Sequence, residues 1–169
     1  MTLGVRYPIE PMEARSVDRL PEGKGWQYEP KWDGFRCVAY KDGAKVRIQS
    51  KAGKPLERYF PDVVETVAAL GADRCVLDGE IVIPVGKRLS FDELLLRVHP
   101  AASRVKKLVA EHPARLEVFD LLADERGKSL VSEPLAARRE RLEAFAAKYF
   151  EEPRRIALSR ATRSLATAR

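Results

Sequence analysis

Alternating apolar and polar positions dominate the chain after its first 25 residues and predict a series of short strands. The segment FRCVAYKDGAKVRIQS at 35–50 contains two β-rich runs on either side of Asp42-Gly43, a pair that is typical of a hairpin turn. The Asp78-Gly79 pair is expected to break a later strand. Three further strands are predicted from the same pattern, at 74–83, 115–123 and 155–161.

Helical spacing of apolar residues predicts helices between and after these strands. Ser90 and Glu93 form a capping box that begins a helix at 90–99, and His112-Pro113 ends a second helix that begins at 101. Helices are also predicted at 61–70 and 135–150, with a helical start at 162–169. Antiparallel hairpins with helices laid outside them predict an α+β fold.

The first 25 residues are predicted to form an irregular lead-in, with residues 26–169 forming the folded domain. Prolines and glycines interrupt any periodicity in the lead-in, at Pro8, Pro11, Pro21, Gly23 and Gly25. The chain stops within the helical start at 162–169, without a cap or a polar tail. We therefore expect it to be a fragment of a longer protein.

Composition and charge narrow the class of protein. The chain has 169 residues, of which 45% are hydrophobic and 33% are charged, as expected for a globular domain with a core. Lys and Arg outnumber Asp and Glu by 31 to 25, and the formal net charge is +6. This balance favours polyanionic partners such as nucleic acid or nucleotides, although a solvated basic surface is the alternative interpretation.

Cysteine and histidine usage argues against a metal-stabilised or secreted fold. Cys37 and Cys75 form no CxxC pair, and are predicted to be buried thiols of a cytosolic protein. His99 and His112 lack metal-ligand spacing, so a structural zinc is not expected. The N-terminus has no apolar signal region, and no stretch approaches transmembrane length.

The stretch EPKWDGFR at 29–36 is the first candidate for chemistry. Lys31 precedes the tight Asp33-Gly34 turn, and a lysine becomes a nucleophile when nearby positive charge and desolvation promote the loss of its proton. Arg36 would supply that charge or hold a phosphate, and Gly34 would let the backbone approach a ligand closely. The alternative is an ordinary surface lysine ahead of a common turn.

Three more stretches add polar or aromatic groups at suitable positions. Alternation within VLDGEIV places Asp78 and Glu80 on one strand face, where they would bind ribose hydroxyls or a metal ion, or would only face solvent. Phe119 in RLEVFDLL would stack on a nucleobase, or would be an ordinary core residue. Lys51 in the basic stretch after the hairpin would contact a phosphate, or would lie in an exposed loop.

The order of these stretches resembles the nucleotidyltransferase domain of ATP-dependent DNA ligases, and most nearly the small bacterial ligases of repair and end joining. EPKWDGFR resembles the KxDGxR motif of that family, and SKAG, DGEIV and VFDLL resemble its next three motifs. The likeness covers roughly residues 8–160. It implies antiparallel sheets flanked by helices, in an ATP-grasp-like adenylation domain. The later glutamate and lysine motifs and the oligonucleotide-binding domain are not recognisable, which implies that 26–169 is a partial adenylation domain.

The resemblance implies a role for each matching residue. Lys31 would form the covalent lysyl-AMP. Glu29 would lie against the adenine edge, and Phe119 would stack on the adenine ring. Glu80 would hydrogen-bond the ribose, and Arg36 would contact the nucleotide or the phosphate at the DNA end.

The resemblance also implies substrates and partners. Lys51 would bind nucleotide phosphate, but it stands where most relatives carry arginine and so lacks the bidentate fork. The implied cofactors are ATP with Mg²⁺ or Mn²⁺, and the implied partners are nicked or broken double-stranded DNA and a repair polymerase or end-binding protein, with no membrane. The implied location is the cytoplasm, at the nucleoid. The full protein would seal nicks, and this fragment alone would not complete ligation.

Two alternative functions remain open. One is an RNA ligase or a capping-type nucleotidyltransferase, because these enzymes share the lysine of the KxDG motif. The other is a truncated domain that binds nucleotide or DNA without turnover.

Overall fold

A computed structural model describes residues 3–150 and 155–168 of the chain. Within these residues seven strands and five helices follow one another in this order: β1 (Phe35–Asp42), β2 (Lys45–Ser50), α1 (Pro61–Ala68), β3 (Arg74–Val82), β4 (Pro84–Val85), β5 (Arg88–Leu89), α2 (Phe91–Arg97), α3 (Ala102–Glu111), β6 (Arg115–Ala123), α4 (Leu135–Tyr149), β7 (Ile156–Leu158) and α5 (Leu165–Ala168). None of the helices in this part of the chain combines the length and the apolar character needed to cross a lipid bilayer.

Five strands form the main sheet, in the order β2-β1-β3-β6-β7. All neighbouring strands are antiparallel except β6 and β7, which are parallel. The strands β4 and β5 form a separate two-stranded ribbon. The sheet is therefore mainly antiparallel with helices outside it, which confirms the predicted α+β class.

Most of the local predictions agree with the elements, but the strand predicted at 155–161 covers only Ile156–Leu158, and the ribbon of β4 and β5 is not among the predicted strands. The hairpin turns after Asp42, and Ser90 caps α2 by accepting a hydrogen bond from the backbone N–H of Glu93 at 3.3 Å. The expected break at Asp78-Gly79 is wrong, because β3 runs through both residues to Val82. The irregularity is instead a register shift between β3 and β6 at this point.

The two faces of the sheet are covered differently. One face packs against α1 and α4 and forms the main core, which includes both cysteines as predicted; representative members are Cys37, Cys75, Leu77, Leu121, Val63, Leu142 and Phe145. Burial raises the pKa of the Cys75 thiol to about 12, so it stays protonated and unreactive at neutral pH.

The opposite face divides into an apolar end and a polar end. At the apolar end, residues of the lead-in pack against β-strand side chains. The strand residues are Val38, Tyr40, Val76, Leu122 and Ala123, and the lead-in residues are Leu3, Val5, Tyr7 and Ile9. Gln49 holds the lead-in there, since its side chain accepts a hydrogen bond from Ile9 N at 2.9 Å and donates one to Ile9 O at 2.8 Å. The polar end of this face carries the candidate site.

A buried ion pair ties the helices beneath the sheet together. Arg97 of α2 donates hydrogen bonds to both oxygens of Asp62 in α1, at 3.2 and 2.8 Å, and both side chains are 1% exposed. The same guanidinium donates to the carbonyl of His112, and Asp62 accepts from Ala114 N. Loss of either partner would leave a buried charge without compensation, which typically costs about 3–5 kcal/mol.

Candidate active site

The loop that carries Lys31 is held on both sides. Trp32 donates a hydrogen bond from Nε1 to Oγ of the buried Ser159 at 2.9 Å. On the other side Gly34 packs against β3, where an added Cβ would clash with the carbonyl oxygen of Ile81 and lie 2.8 Å from Cγ of Glu80. Lys31 itself is exposed between these two anchors. The tryptophan and the glycine of the motif thus fix the backbone and leave the amine accessible.

Arg36 is the second residue of β1, lies on the polar face and is held by the neighbouring strand β3. Its Nε donates to Asp78 Oδ1 at 3.0 Å, and its Nη2 donates to Asp78 Oδ2 at 2.8 Å. This pairing raises the pKa of Arg36, while burial raises the pKa of Asp78 and the bonds from Arg36 oppose that effect. The guanidinium also lies over the ring of Phe119, with Cζ 5.0 Å from the ring centroid.

Phe119 faces this site because it follows Val118, whose side chain lies in the main core, so that strand alternation places Phe119 on the polar face. Val118 pairs with Gly79 and Asp120 pairs with Asp78, so Phe119 is an extra residue in β6 at that point. The bulge places the next residue, Asp120, on the same face, where it pairs with Asp78, and returns Leu121 to the core. The ring is only half-buried and contacts Arg36, whereas its neighbours Val118 and Leu121 belong to the main core.

Glu80 lies directly opposite Arg36 in the pairing of β1 with β3. Burial is the main reason that its pKa rises to about 7, and the charges of Arg36 and Lys31 together with a hydrogen bond from the Gly34 backbone limit the rise. At neutral pH the carboxyl is therefore divided between its protonated and ionised forms. The same interactions show that Glu80 and the lysine loop are close enough to influence one another.

The remaining predicted residues lie at the edge of this group. Glu29 accepts a hydrogen bond from Gln27 Nε2 at 2.6 Å. Partial burial raises the pKa of Glu29, and the Gln27 bond and the charges of Arg139 and Arg36 oppose this. Lys51 follows the end of β2 next to β1, but its amine forms an exposed ion pair with Glu13 at 3.1 Å.

Sequence reasoning missed several residues that shape the site. The sequence predicts that Asp78 binds ribose or a metal ion or faces solvent, whereas in the structure it is the partner that holds Arg36. Asp120 accepts bonds from Nε and Nη2 of Arg138 in α4 at 2.9 and 2.8 Å, which fixes the strand next to Phe119. No local pattern could predict that pair, because its members belong to different elements. Within the described residues no group of three or more His, Cys, Asp or Glu side chains is placed to hold a metal ion.

Comparison with known proteins identifies the family. Residues 11–167 match the family described as the ATP dependent DNA ligase domain, and the chain belongs to that family. This confirms the resemblance drawn from the motifs.

Two curated relatives indicate which kind of DNA ligase the chain is similar to. The chain is 46% identical to DNA ligase C1 of Mycolicibacterium smegmatis over 147 residues, which is 84% of this chain and 42% of that protein. It is 44% identical to DNA ligase C of Mycobacterium tuberculosis over 123 residues, which is 73% of this chain and 34% of that protein. The chain thus spans less than half the length of these relatives.

Two solved structures share the fold. The ligase domain of LigD from M. tuberculosis has a TM-score of 0.63 at 23% identity, with coverage of 85% of this chain and 42% of that one. A mycobacterial DNA ligase D complexed with ATP and MES has a TM-score of 0.61 at 24% identity, with coverage of 80% and 40%. Both similarities support the same α+β architecture.

Proposed function

We propose that this chain is the adenylation part of an ATP-dependent DNA ligase and that Lys31 is the residue that becomes linked to AMP. The main support is the position of Lys31, which is exposed on a loop anchored by Trp32 and Gly34. Arg36 and Glu80 lie beside that loop on the polar face of the sheet. Membership of the ligase family supports the same assignment.

The first step would be nucleophilic attack by Lys31 on ATP. The deprotonated Nζ would form a bond to the α-phosphorus, the bond from that phosphorus to the bridging oxygen would break, and pyrophosphate would leave. The proton lost by the amine would pass to solvent. Such a transfer depends mainly on positioning and on neutralising phosphate charge, and a fixed lysine loop next to a held arginine supplies both.

The other residues would orient the nucleotide. Glu29 would accept a hydrogen bond from the adenine edge, and Phe119 would stack on the ring with the face that Arg36 does not cover. Glu80 would bind the ribose, in either protonation state, because a hydroxyl both donates and accepts. Arg36 uses Nε and Nη2 for Asp78, so a phosphate would meet its Nη1. Lys51 would contact phosphate after release from Glu13.

We propose the later steps only for a protein as long as the relatives, because this chain spans less than half of their length. AMP would pass from Lys31 to the 5′-phosphate of nicked or broken double-stranded DNA, and the 3′-hydroxyl would then displace AMP and close the strand. Mg²⁺ or Mn²⁺ would neutralise the phosphates of ATP, and hard divalent ions of this kind bind phosphate oxygens with few protein ligands. A repair polymerase or end-binding protein at the nucleoid, in the cytoplasm, is the partner that this function suggests.

Covalent labelling tests the proposal directly. The 169-residue chain is incubated with ATP and Mg²⁺ and digested with trypsin at a pH that preserves a phosphoramidate. We expect the mass of AMP on the peptide 25–36, which stays uncut at Lys31, and no label on Lys31→Ala. Lys54→Ala is the matched control, since it removes an exposed lysine of a nearby loop and should label normally.

Two results would contradict the proposal. An adduct on Lys31→Ala, or on another lysine of the parent chain, would show that Lys31 is not the nucleophile. Bound ATP without any adduct would favour the alternative, a domain that binds nucleotide without turnover.

A further inference from the structure

A short segment that follows β7 holds the lysine loop at two points. Before Lys31, Tyr28 and Thr162 exchange two backbone hydrogen bonds, one from Tyr28 N at 2.8 Å and one from Thr162 N at 2.9 Å. After Lys31, the indole Nε1 of Trp32 donates a hydrogen bond to Oγ of Ser159 at 2.9 Å. The exposed lysine therefore lies between two points at which the chain is attached to this segment.

Ser159 is itself held by the main sheet. Its backbone N–H donates to the carbonyl of Val118 in β6 at 2.8 Å, and the preceding residue, Leu158, pairs with Val118 in the parallel ladder of β6 and β7. The serine is 1% exposed. Val118 directly precedes Phe119, so the hydroxyl that receives the Trp32 bond is attached to the strand whose next residue is proposed to stack on adenine.

This attachment matters because attack on ATP requires the amine and the α-phosphorus at a defined separation. The proposed contacts of Phe119 and Glu80 would place ATP relative to β6 and β3. Lys31 lies on a loop ahead of β1, so its position relative to ATP depends on how that loop is attached to the sheet. The bond from Trp32 to Ser159 joins the two across 127 positions of the chain. A misplacement of about 1 Å lowers a rate by as much as about 100-fold.

We propose that Ser159 is a positioning residue for the transfer of AMP to Lys31 and that it acts through Trp32. The serine hydroxyl holds the indole, and the indole fixes the backbone next to the lysine. Ser159 has no contact with the nucleotide in this arrangement, so it should affect the rate of AMP transfer and not the affinity for ATP. The inference rests on the proposed function, in which Lys31 attacks the α-phosphorus.

The test measures transfer and binding separately. The single-turnover rate of Lys31 labelling is followed at saturating ATP with Mg²⁺. Affinity is measured with α,β-methylene-ATP, in which a CH₂ group replaces the bridging oxygen and prevents the release of pyrophosphate. Ser159→Ala should label about tenfold more slowly than the parent, the effect of one lost hydrogen bond, and should bind the analogue within about twofold of the parent. Trp32→Phe removes the donor but keeps an aromatic ring, and should give the same two results.

The double variant tests whether the two residues act through their shared bond. Each single substitution already removes that bond, so the double variant should label within about twofold of either single variant. Ser129→Ala is the matched control, because the Ser129 hydroxyl accepts a hydrogen bond from Val131 N at 3.4 Å in the segment after β6. It should label and bind the analogue as the parent does.

The contrary outcomes separate this inference from the proposed function. An unchanged labelling rate in Ser159→Ala or in Trp32→Phe, with the parent labelled on Lys31, would overturn only the positioning role, and Trp32→Phe gives this answer even if Ser159→Ala does not fold. Weaker binding of the analogue that accounts for the slower labelling would also overturn it. A double variant about 100-fold slower than the parent would show that the two residues act independently. A parent chain without any label would overturn both proposals together.

Discussion

Arg36 and Asp78 form a two-bond ion pair across neighbouring strands, with N–O distances of 3.0 and 2.8 Å. The Asp78 side chain is 4% exposed and that of Arg36 is 23% exposed, so the pair lies partly out of solvent. The pair directs the guanidinium over Phe119 and next to Glu80. A positive charge is therefore held at the place where the nucleotide phosphates are proposed to bind.

Asp78→Asn should lower the stability of the fold and leave the Arg36 side chain less firmly held. An amide keeps only one acceptor oxygen and no charge, so Arg36 would lose its bidentate partner at a cost of about 2 kcal/mol. Urea unfolding measures the change in the free energy of unfolding. Glu13→Gln is the control, because it breaks the exposed pair with Lys51 and should change stability by less than about 0.5 kcal/mol. Equal effects of the two substitutions on the free energy of unfolding would show that the Arg36–Asp78 ion pair does not stabilise the fold.

Gly34→Ala should displace the lysine loop from β3. The new methyl group would meet the Ile81 carbonyl and the Glu80 side chain, and overpacking of this kind typically costs about 1–3 kcal/mol. We expect AMP labelling of Lys31 to fall by at least tenfold in a folded variant. Gly71→Ala serves as the control, since its nearest atom would be Cδ1 of Tyr149 at an ordinary 3.7 Å. Normal labelling of Gly34→Ala would show that this packing does not position the lysine.

Glu80→Gln should change how stability depends on pH. The pKa of Glu80 is about 7 in the folded protein against an ordinary value of 4.5, so folding favours its protonated form. Its contribution to stability is full below pH 4.5 and is lost as the pH rises through 7. Because the group is partly exposed, we expect about 1 kcal/mol rather than the full linkage value. The parent should therefore lose this amount relative to the variant between pH 5 and pH 8, as measured by urea unfolding. A difference that is constant with pH would refute the raised pKa.

Phe119→Ala should separate binding from folding. The ring is half-buried and contacts Arg36, so its removal should cost about 1 kcal/mol of stability, whereas loss of stacking should weaken ATP binding by tenfold or more. Leu121→Ala is the contrast, because Leu121 is 1% exposed in the main core and should lose about 2–5 kcal/mol with little change in affinity. Early melting of Phe119→Ala with unchanged ATP affinity would assign Phe119 to the core.

Much of the architecture follows from local pattern. Alternation and capping predicted the hairpin, the capped helix at Ser90 and the strand at 115–123, because these features depend on residues close together in the chain. Burial of both cysteines was predicted because they form no CxxC pair, and both thiols are free and buried. The ordered motifs identified the ligase family because each keeps its residues within a few positions. The proposed roles of Lys31 and its neighbours remain predictions.

Contacts between distant segments could not be inferred in this way. The partners Asp78 for Arg36, Ser159 for Trp32 and Asp120 for Arg138 depend on which strands and helices become neighbours. Asp120 lies on the polar face because of an extra residue in β6, whereas strict alternation after Val118 would turn Asp120 toward the core. Side-chain periodicity is encoded along the chain, but register, pairing and burial depend on long-range packing, which the pattern of single residues does not specify.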